Sequence, residues 1–162
     1  MTPPESAPDF LAANGWGGAE ILPLAGDASF RRYFRVHDGE RQAVLMDAPP
    51  PQEDVRPFAA MTDYLTGHGF HPPAILGRDV EKGLLLLEDL GDLRMRDHLD
   101  RTEGEERAIY EKAVDELIRL AACPVADVPA YDEAAYLREA KLLTEWYAPA
   151  AGLSVDEDEY EA

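Results

Sequence analysis

The chain has 162 residues, of which 46% are hydrophobic and 30% charged, the balance of an ordinary globular protein rather than a disordered one. Its 33 acidic and 15 basic residues leave a formal charge of -18, which excludes general attraction to nucleic-acid phosphates or to an anionic membrane face. The longest purely apolar run, Leu84 to Leu87, is far short of a membrane span, and the opening Met1-Thr2-Pro3-Pro4-Glu5 has no signal-peptide pattern, so a cytoplasmic protein is expected. A lone cysteine, Cys123, rules out an internal disulfide and reads as a small, partly buried apolar residue.

In chain order, Asp9 to Asn14 reads as a short helix stopped by Asn14-Gly15. Ile21 to Leu24 reads as a short strand. Phe30 to His37 alternates, which places Arg32, Phe34 and Val36 on one face of a strand and Arg31, Tyr33 and Arg35 on the other. Asp38-Gly39 predicts a type I′ turn, and Gln42 to Met46 returns as the partner strand. Pro49-Pro50-Pro51 cannot continue a ladder. A helix follows from Val55 to Thr66, capped by Asp54 and ended at Gly67 or Gly69, with Phe58, Met61 and Leu65 on one face. Ala74 to Leu76 and Leu84 to Glu88 read as two further strands about a turn at Val80 to Gly83, the second fully buried.

Beyond Gly91 the spacing becomes helical. Thr102-Glu103-Gly104-Glu105 fits a capping box, and Tyr110, Ala113, Val114, Leu117, Ile118 and Ala121 then form one apolar face, stopped by Cys123-Pro124. A second helix is predicted from Glu133 to Tyr147, with Tyr136, Ala140, Leu143 and Trp146 or Tyr147 inward. The run Asp156 to Glu161 is an acidic tail that like-charge repulsion should fray. The fold class is therefore α+β: a five-stranded antiparallel sheet with one helix, then helices.

Two stretches could carry chemistry. Gly26, Asp27, Ala28, Ser29, Phe30, Arg31 and Arg32 sit in and after a turn between strands. Small residues permit close approach to the backbone, Ser29 offers a hydroxyl, and the arginines supply positive charge, the ingredients of a phosphate cradle. An ordinary turn with two surface arginines explains the same residues. Glu88, Asp89 and Leu90 end the buried strand where the helical pattern begins. A hinge there could offer backbone donors and acceptors to a purine edge, and a core strand with a polar end is the alternative.

Taken together, the ordered blocks Gly26 to Phe34, Val44 to Pro50, Glu53 to Phe58 and Leu84 to Asp92 resemble the aminoglycoside phosphotransferase superfamily. Within it they look like the bacterial anomeric kinases of cell-wall recycling, which act on N-acetylmuramate and N-acetylglucosamine at C1. The stretch Arg138 to Tyr147 is similar to that group too. The resemblance implies a protein-kinase-like fold, with residues 1–91 as the nucleotide-binding small lobe and 92–162 as the start of a helical substrate lobe. It implies ATP as the nucleotide, magnesium in the full-length enzyme, and an amino sugar as acceptor. Gly26 to Phe34 would cover the phosphates, Glu88 to Leu90 would face adenine, and Trp146 and Tyr147 would stand near the sugar pocket, although their spacing reads equally as helix core.

The chain also departs from that frame. Phosphoryl transfer in such enzymes uses an H-x-D-x-x-x-x-N loop and a later metal-binding acid. His98-Leu99-Asp100 matches only the first three positions, since Glu105 stands where asparagine should, and it lies too near the hinge. Asp156 and Asp158 imitate a metal pair only within a solvated acidic run. The phosphate-pairing lysine is missing: Lys82, Lys112 and Lys141 lie elsewhere, and Leu45 or Met46 occupies its place. Arg31, Arg32 or Arg35 could replace it, and Glu53 or Asp54 could be the pairing acid. The expectation is the amino-terminal part of a sugar kinase, truncated before its catalytic loop and inactive alone. The alternative is a noncatalytic nucleotide-binding or protein-interaction module, with self-association through helical faces left uncovered.

Overall fold

The computed structural model describes residues 1–24 and 29–154. The chain divides into two compact units, Met1–Pro124 and Val125–Ala162. The first opens with α1 (Ala7–Ala13) and continues through β1 (Glu20–Pro23), β2 (Arg32–Asp38), β3 (Arg41–Asp47), α2 (Arg56–Gly67), β4 (Ile75–Asp79) and β5 (Leu84–Glu88). It ends with the short α3 (Met95–Leu99) and the long α4 (Glu106–Ala121). The five strands form one antiparallel sheet in the order β1-β2-β3-β5-β4, the α+β architecture of a kinase-like amino-terminal lobe.

Alternation along the central strands builds a core on each face of the sheet. Phe34 and Val36 of β2, Ala43 and Leu45 of β3, and Leu84 and Leu86 of β5 point one way and bury Phe10, Leu11 and Trp16 against them. Met46, Leu85 and Leu87 point the other way, joined by Val55, Ala48, Tyr33, Val44 and Phe58. The continuous apolar run of β5 is thus explained: it is buried on both sides.

Gly15, at φ +80, ends α1 as expected, while Asn14 keeps φ -103 and binds the Phe10 carbonyl oxygen through Nδ2 at 2.8 Å. The β2–β3 hairpin forms with the predicted facing of residues, but its turn differs. Asp38 pairs with Arg41, so the two central residues are Gly39 and Glu40. Gly39 has φ +63 and no described non-glycine residue has positive φ, which is the type II′ pattern rather than I′.

Helix α2 starts one residue later than predicted, with Val55 at its N-cap. Asp54 does not cap it from that position. Its Oδ1 accepts from the amide of Arg56, the first residue of the helix, at 2.9 Å from one position before the N-cap. Gly83 (φ +67) turns the chain between β4 and β5. There its carbonyl oxygen accepts from the Ala48 amide at 2.8 Å, and a Cβ would overlap the Ala48 carbonyl oxygen.

The capping box before α4 is not formed. The helix begins after Glu105, whose side chain caps nothing and instead meets His98 Nε2 at 2.8 Å. The α4 face of Tyr110, Val114, Leu117 and Ile118 is exposed, each residue by about half or more. The helix is anchored at its far end, where the Arg119 guanidinium lies over the Phe70 ring at 4.8 Å and Tyr64 Oη donates to the Pro124 carbonyl oxygen at 2.5 Å. Cys123 is half-buried, as expected.

The second unit contains α5 (Glu133–Leu142), a π-helical turn (Leu143–Tyr147) and α6 (Ala148–Ala150). Asp132 caps α5 by accepting from the Ala135 amide at 3.0 Å. The predicted single helix to Tyr147 therefore changes winding at Leu143. Its supposed inward residues are solvent-facing: Tyr136, Ala140, Leu143, Trp146 and Tyr147 are all exposed. Among the described residues of this unit, Ala135 and Ala148 are the buried ones. The acidic tail, with Asp156 and Asp158, lies outside the described residues.

Candidate functional site

A groove of about 580 Å³ opens on the α2 side of the sheet. Its apolar walls are Leu24 at the end of β1, Tyr33, Val44 and Leu87 from the central strands, and Phe58 from α2. Its polar end is the segment leaving β5, Glu88 to Asp92, together with Arg35 and Arg94. An apolar slot closed by a few convergent polar groups is the usual form of a small-molecule site.

The polar end is built around one guanidinium. Arg35 donates from Nε to Asp89 Oδ2 at 2.6 Å and from Nη1 and Nη2 to the two Asp92 oxygens at 2.8 Å each. The hydrogen bonds that Arg35 donates to Asp92 and Asp89 outweigh desolvation and raise the Arg35 pKa above its ordinary value. The Arg35 hydrogen bond holds the Asp92 carboxyl below the usual carboxylate range. Strand β2 is thereby tied to the segment that leaves the sheet. Glu88 is fixed in another way: its amide donates to the Ala74 carbonyl oxygen at 2.8 Å, and its Oε2 accepts from the Ala74 amide at 3.2 Å. Leu90 is exposed at the rim.

The structure brings Glu88, Asp89 and Leu90 together in this groove. Gly26, Asp27 and Ala28 lie outside the described residues. Ser29, Phe30, Arg31 and Arg32 follow them without lining the groove, whereas Leu24, which precedes them in the chain, does line it. The Ser29 hydroxyl accepts from the Arg31 amide at 3.2 Å.

The three candidate arginines have different partners. Arg32 faces away from the groove, as the alternation predicted, and pairs with the buried Asp47 opposite it on β3 while reaching the Thr2 carbonyl oxygen. Arg35 holds Asp89 and Asp92. Arg31 donates from Nε to Glu53 Oε2 at 2.9 Å. Burial alone would lower the Arg31 pKa, but the hydrogen bond and charge of Glu53 raise it, with a smaller contribution from Tyr33. Met46 is fully buried on the groove side of β3, directly opposite Tyr33.

His98-Leu99-Asp100 is no catalytic loop. His98 and Leu99 belong to α3, and Asp100 ends that helix, bound by Arg96 Nε at 2.9 Å. Sequence reasoning missed α3 and the role of Asp92. The only local signal for Asp92 was an acid one residue past the Gly91 turn, and its partner Arg35 is 57 residues away.

A five-stranded antiparallel sheet with helices, and a groove that ends in the polar segment leaving β5, is an α+β fold consistent with the amino-terminal lobe of a kinase-type phosphotransferase. Residues 20–162 match the phosphotransferase enzyme family, and the chain belongs to that family. Among curated proteins, it is 49% identical over 144 residues to the N-acetylmuramate/N-acetylglucosamine kinase of Pseudomonas aeruginosa, covering 86% of this chain and 42% of that protein. It is 38% identical over 147 residues to the protein of the same name from Pseudomonas putida, covering 88% and 43%. It is 33% identical over 150 residues to that of Caulobacter vibrioides, covering 76% and 41%. The chain thus spans about two-fifths of the length of these relatives.

Proposed function

We propose that this chain is the nucleotide-holding portion of an ATP-dependent kinase whose acceptor is an amino sugar of the N-acetylmuramate or N-acetylglucosamine type, phosphorylated at the anomeric hydroxyl. The observation that carries the reading is the groove between the sheet and the Glu88–Asp92 hinge, in a chain whose named relatives are amino-sugar kinases. The purine lies between the apolar walls at Val44 and Leu87 and meets the main chain of Glu88, Asp89 and Leu90. The triphosphate is assigned to Gly26, Asp27, Ala28 and Ser29 in the chain and to Arg31 after them. The lobe boundary lies at Gly91, and residues 92–162 begin the acceptor-binding lobe. The setting is cytoplasmic. Among the described residues, no helix is long and apolar enough to cross a membrane.

The chain's own residues account for binding and orientation of nucleotide. Transfer itself needs an acceptor base and a metal-holding acid. No three His, Cys, Asp or Glu side chains converge as a metal site among the described residues, and no H-x-D-x-x-x-x-N sequence occurs in the chain. Magnesium is therefore assigned no ligands here. These 162 residues alone are expected to bind ATP without phosphorylating sugar. At a hundredfold excess over its dissociation constant, ATP should add about 2.7 kcal/mol of stability, a rise of several degrees in melting temperature. No shift with millimolar ATP contradicts the nucleotide reading. Sugar phosphate formed by the purified chain contradicts its inactivity but supports the kinase assignment.

The exposed α4 face favours a second reading, in which the chain acts as a noncatalytic module that self-associates. A concentration-dependent elution volume that ATP leaves unchanged would favour it.

A further inference from the structure

Resting on the nucleotide reading above, we infer that Arg31, oriented by Glu53, is the cation that binds the inner phosphates of the nucleotide in place of a lysine on β3. The position facing Tyr33 on β3 is Met46, fully buried and apolar, so β3 itself supplies no charge to the groove there. Of the candidate cations, Arg32 is on the other face with Asp47, and Arg35 is committed to two carboxylates at the hinge end. Lys82 pairs with Asp79 at the β4–β5 turn, while Lys112 and Lys141 lie on α4 and α5.

Arg31 lies beyond the Tyr33 end of the groove along the chain, away from the Glu88–Asp92 segment. Ala43 pairs with Glu88 and Val44 with both Leu87 and Arg35, whereas Met46 pairs with Tyr33, two residues farther from the hinge. Arg31 precedes Tyr33 by two more. At about 3.4 Å per residue, four residues separate Arg31 from Arg35 by about 14 Å, the direction and reach that a nucleoside anchored at the hinge gives to its phosphates.

The chemistry fits that place. The bond to Glu53 uses the Nε side of the guanidinium, and the Nη edge is the one suited to two phosphate oxygens at once. Glu53 is largely buried and sits just ahead of α2, so it fixes the guanidinium plane rather than competing in solvent. Tyr33, which lines the groove, also contributes to raising the Arg31 pKa. The pair is neutral overall, so its expected effect is selective for phosphate and not a long-range attraction.

Calorimetric titration of the full 162-residue chain with ADP and with adenosine tests this. The native chain should bind ADP more tightly than adenosine, and Arg31→Gln should cut that preference about tenfold or more. Glu53→Gln should reduce it less, and Arg31→Lys should retain part of it, because charge remains but the fork is lost. Circular dichroism establishes that each variant is folded. If Arg31→Gln is not, the Arg31→Lys and Glu53→Gln ratios give the same answer. An unchanged ADP-to-adenosine ratio in the folded variants overturns the inference and leaves the nucleotide reading standing. A native chain that binds neither compound overturns both.

Discussion

The sheet and the helix α4 carry similar densities of apolar side chains and meet opposite fates. On the sheet, alternation sends Phe34, Leu45 and Leu86 to one core and Met46, Leu85 and Leu87 to the other, and both are sealed within the first 91 residues. On α4, Tyr110, Val114, Leu117 and Ile118 share one side and stay in water. A periodic apolar pattern therefore specifies which side of an element is fit for burial. Whether burial happens depends on a partner, which the strands have in each other and in α1 and α2.

Substitutions on the two regions should separate sharply. Phe34→Ala should cost about 3–5 kcal/mol, because the ring is fully buried and its neighbours relax only partly. Urea unfolding would measure it, and a cost near zero would mean the α1 face is not packed as described. Gly83→Ala comes next, at about 1–3 kcal/mol from the left-handed backbone, with crowding against the Ala48 carbonyl added. Leu117→Ala, in contrast, should change stability by within about 0.5 kcal/mol, since its side chain already faces water. A core-sized loss at Leu117 would show that the α4 face is covered in solution, and sedimentation would then identify a second copy.

The clamp of Arg35 on Asp89 and Asp92 gives a pH prediction. Asp92 has a depressed carboxyl pKa in the folded chain, so its pairing with Arg35 contributes fully above the ordinary aspartate pKa of about 3.9. That contribution fades as pH falls through the lower, folded value. Carboxyl carbon shifts followed by nuclear magnetic resonance should show Asp92 titrating late, and Arg35→Gln should move it back toward the ordinary range. An unmoved midpoint would disconnect β2 from the segment leaving β5.

What could be read beforehand follows the range of the interactions. The β2–β3 hairpin was legible because side-chain alternation and a glycine turn are local properties. Even so, the turn type went wrong, since the register moved Gly39 to the first central position and left Glu40, which resists positive φ, in the second. The caps at Asp54 and Thr102 were misplaced by the few residues that decide which amide meets which side chain. The winding change at Leu143 has no local mark that helical periodicity reveals. The end of an apolar run marks Glu88 to Leu90, which line the groove. The partners of Arg31 and Arg35, 22 and 54 residues away, carry no such mark, because only the assembled sheet brings them together.

The sheet order has a consequence for how the molecule assembles. The β2–β3 hairpin is closed by a two-residue turn and β4–β5 by a short one, so each can form from neighbours along the chain. The seam between them is the β3–β5 ladder, which joins Ala43 to Glu88 and Asp47 to Leu84 across the whole of α2. Closing that loop is the entropic hurdle. Leu45 and Leu86, which face each other across the seam, are the positions where a shortened side chain should slow refolding as well as weaken the product.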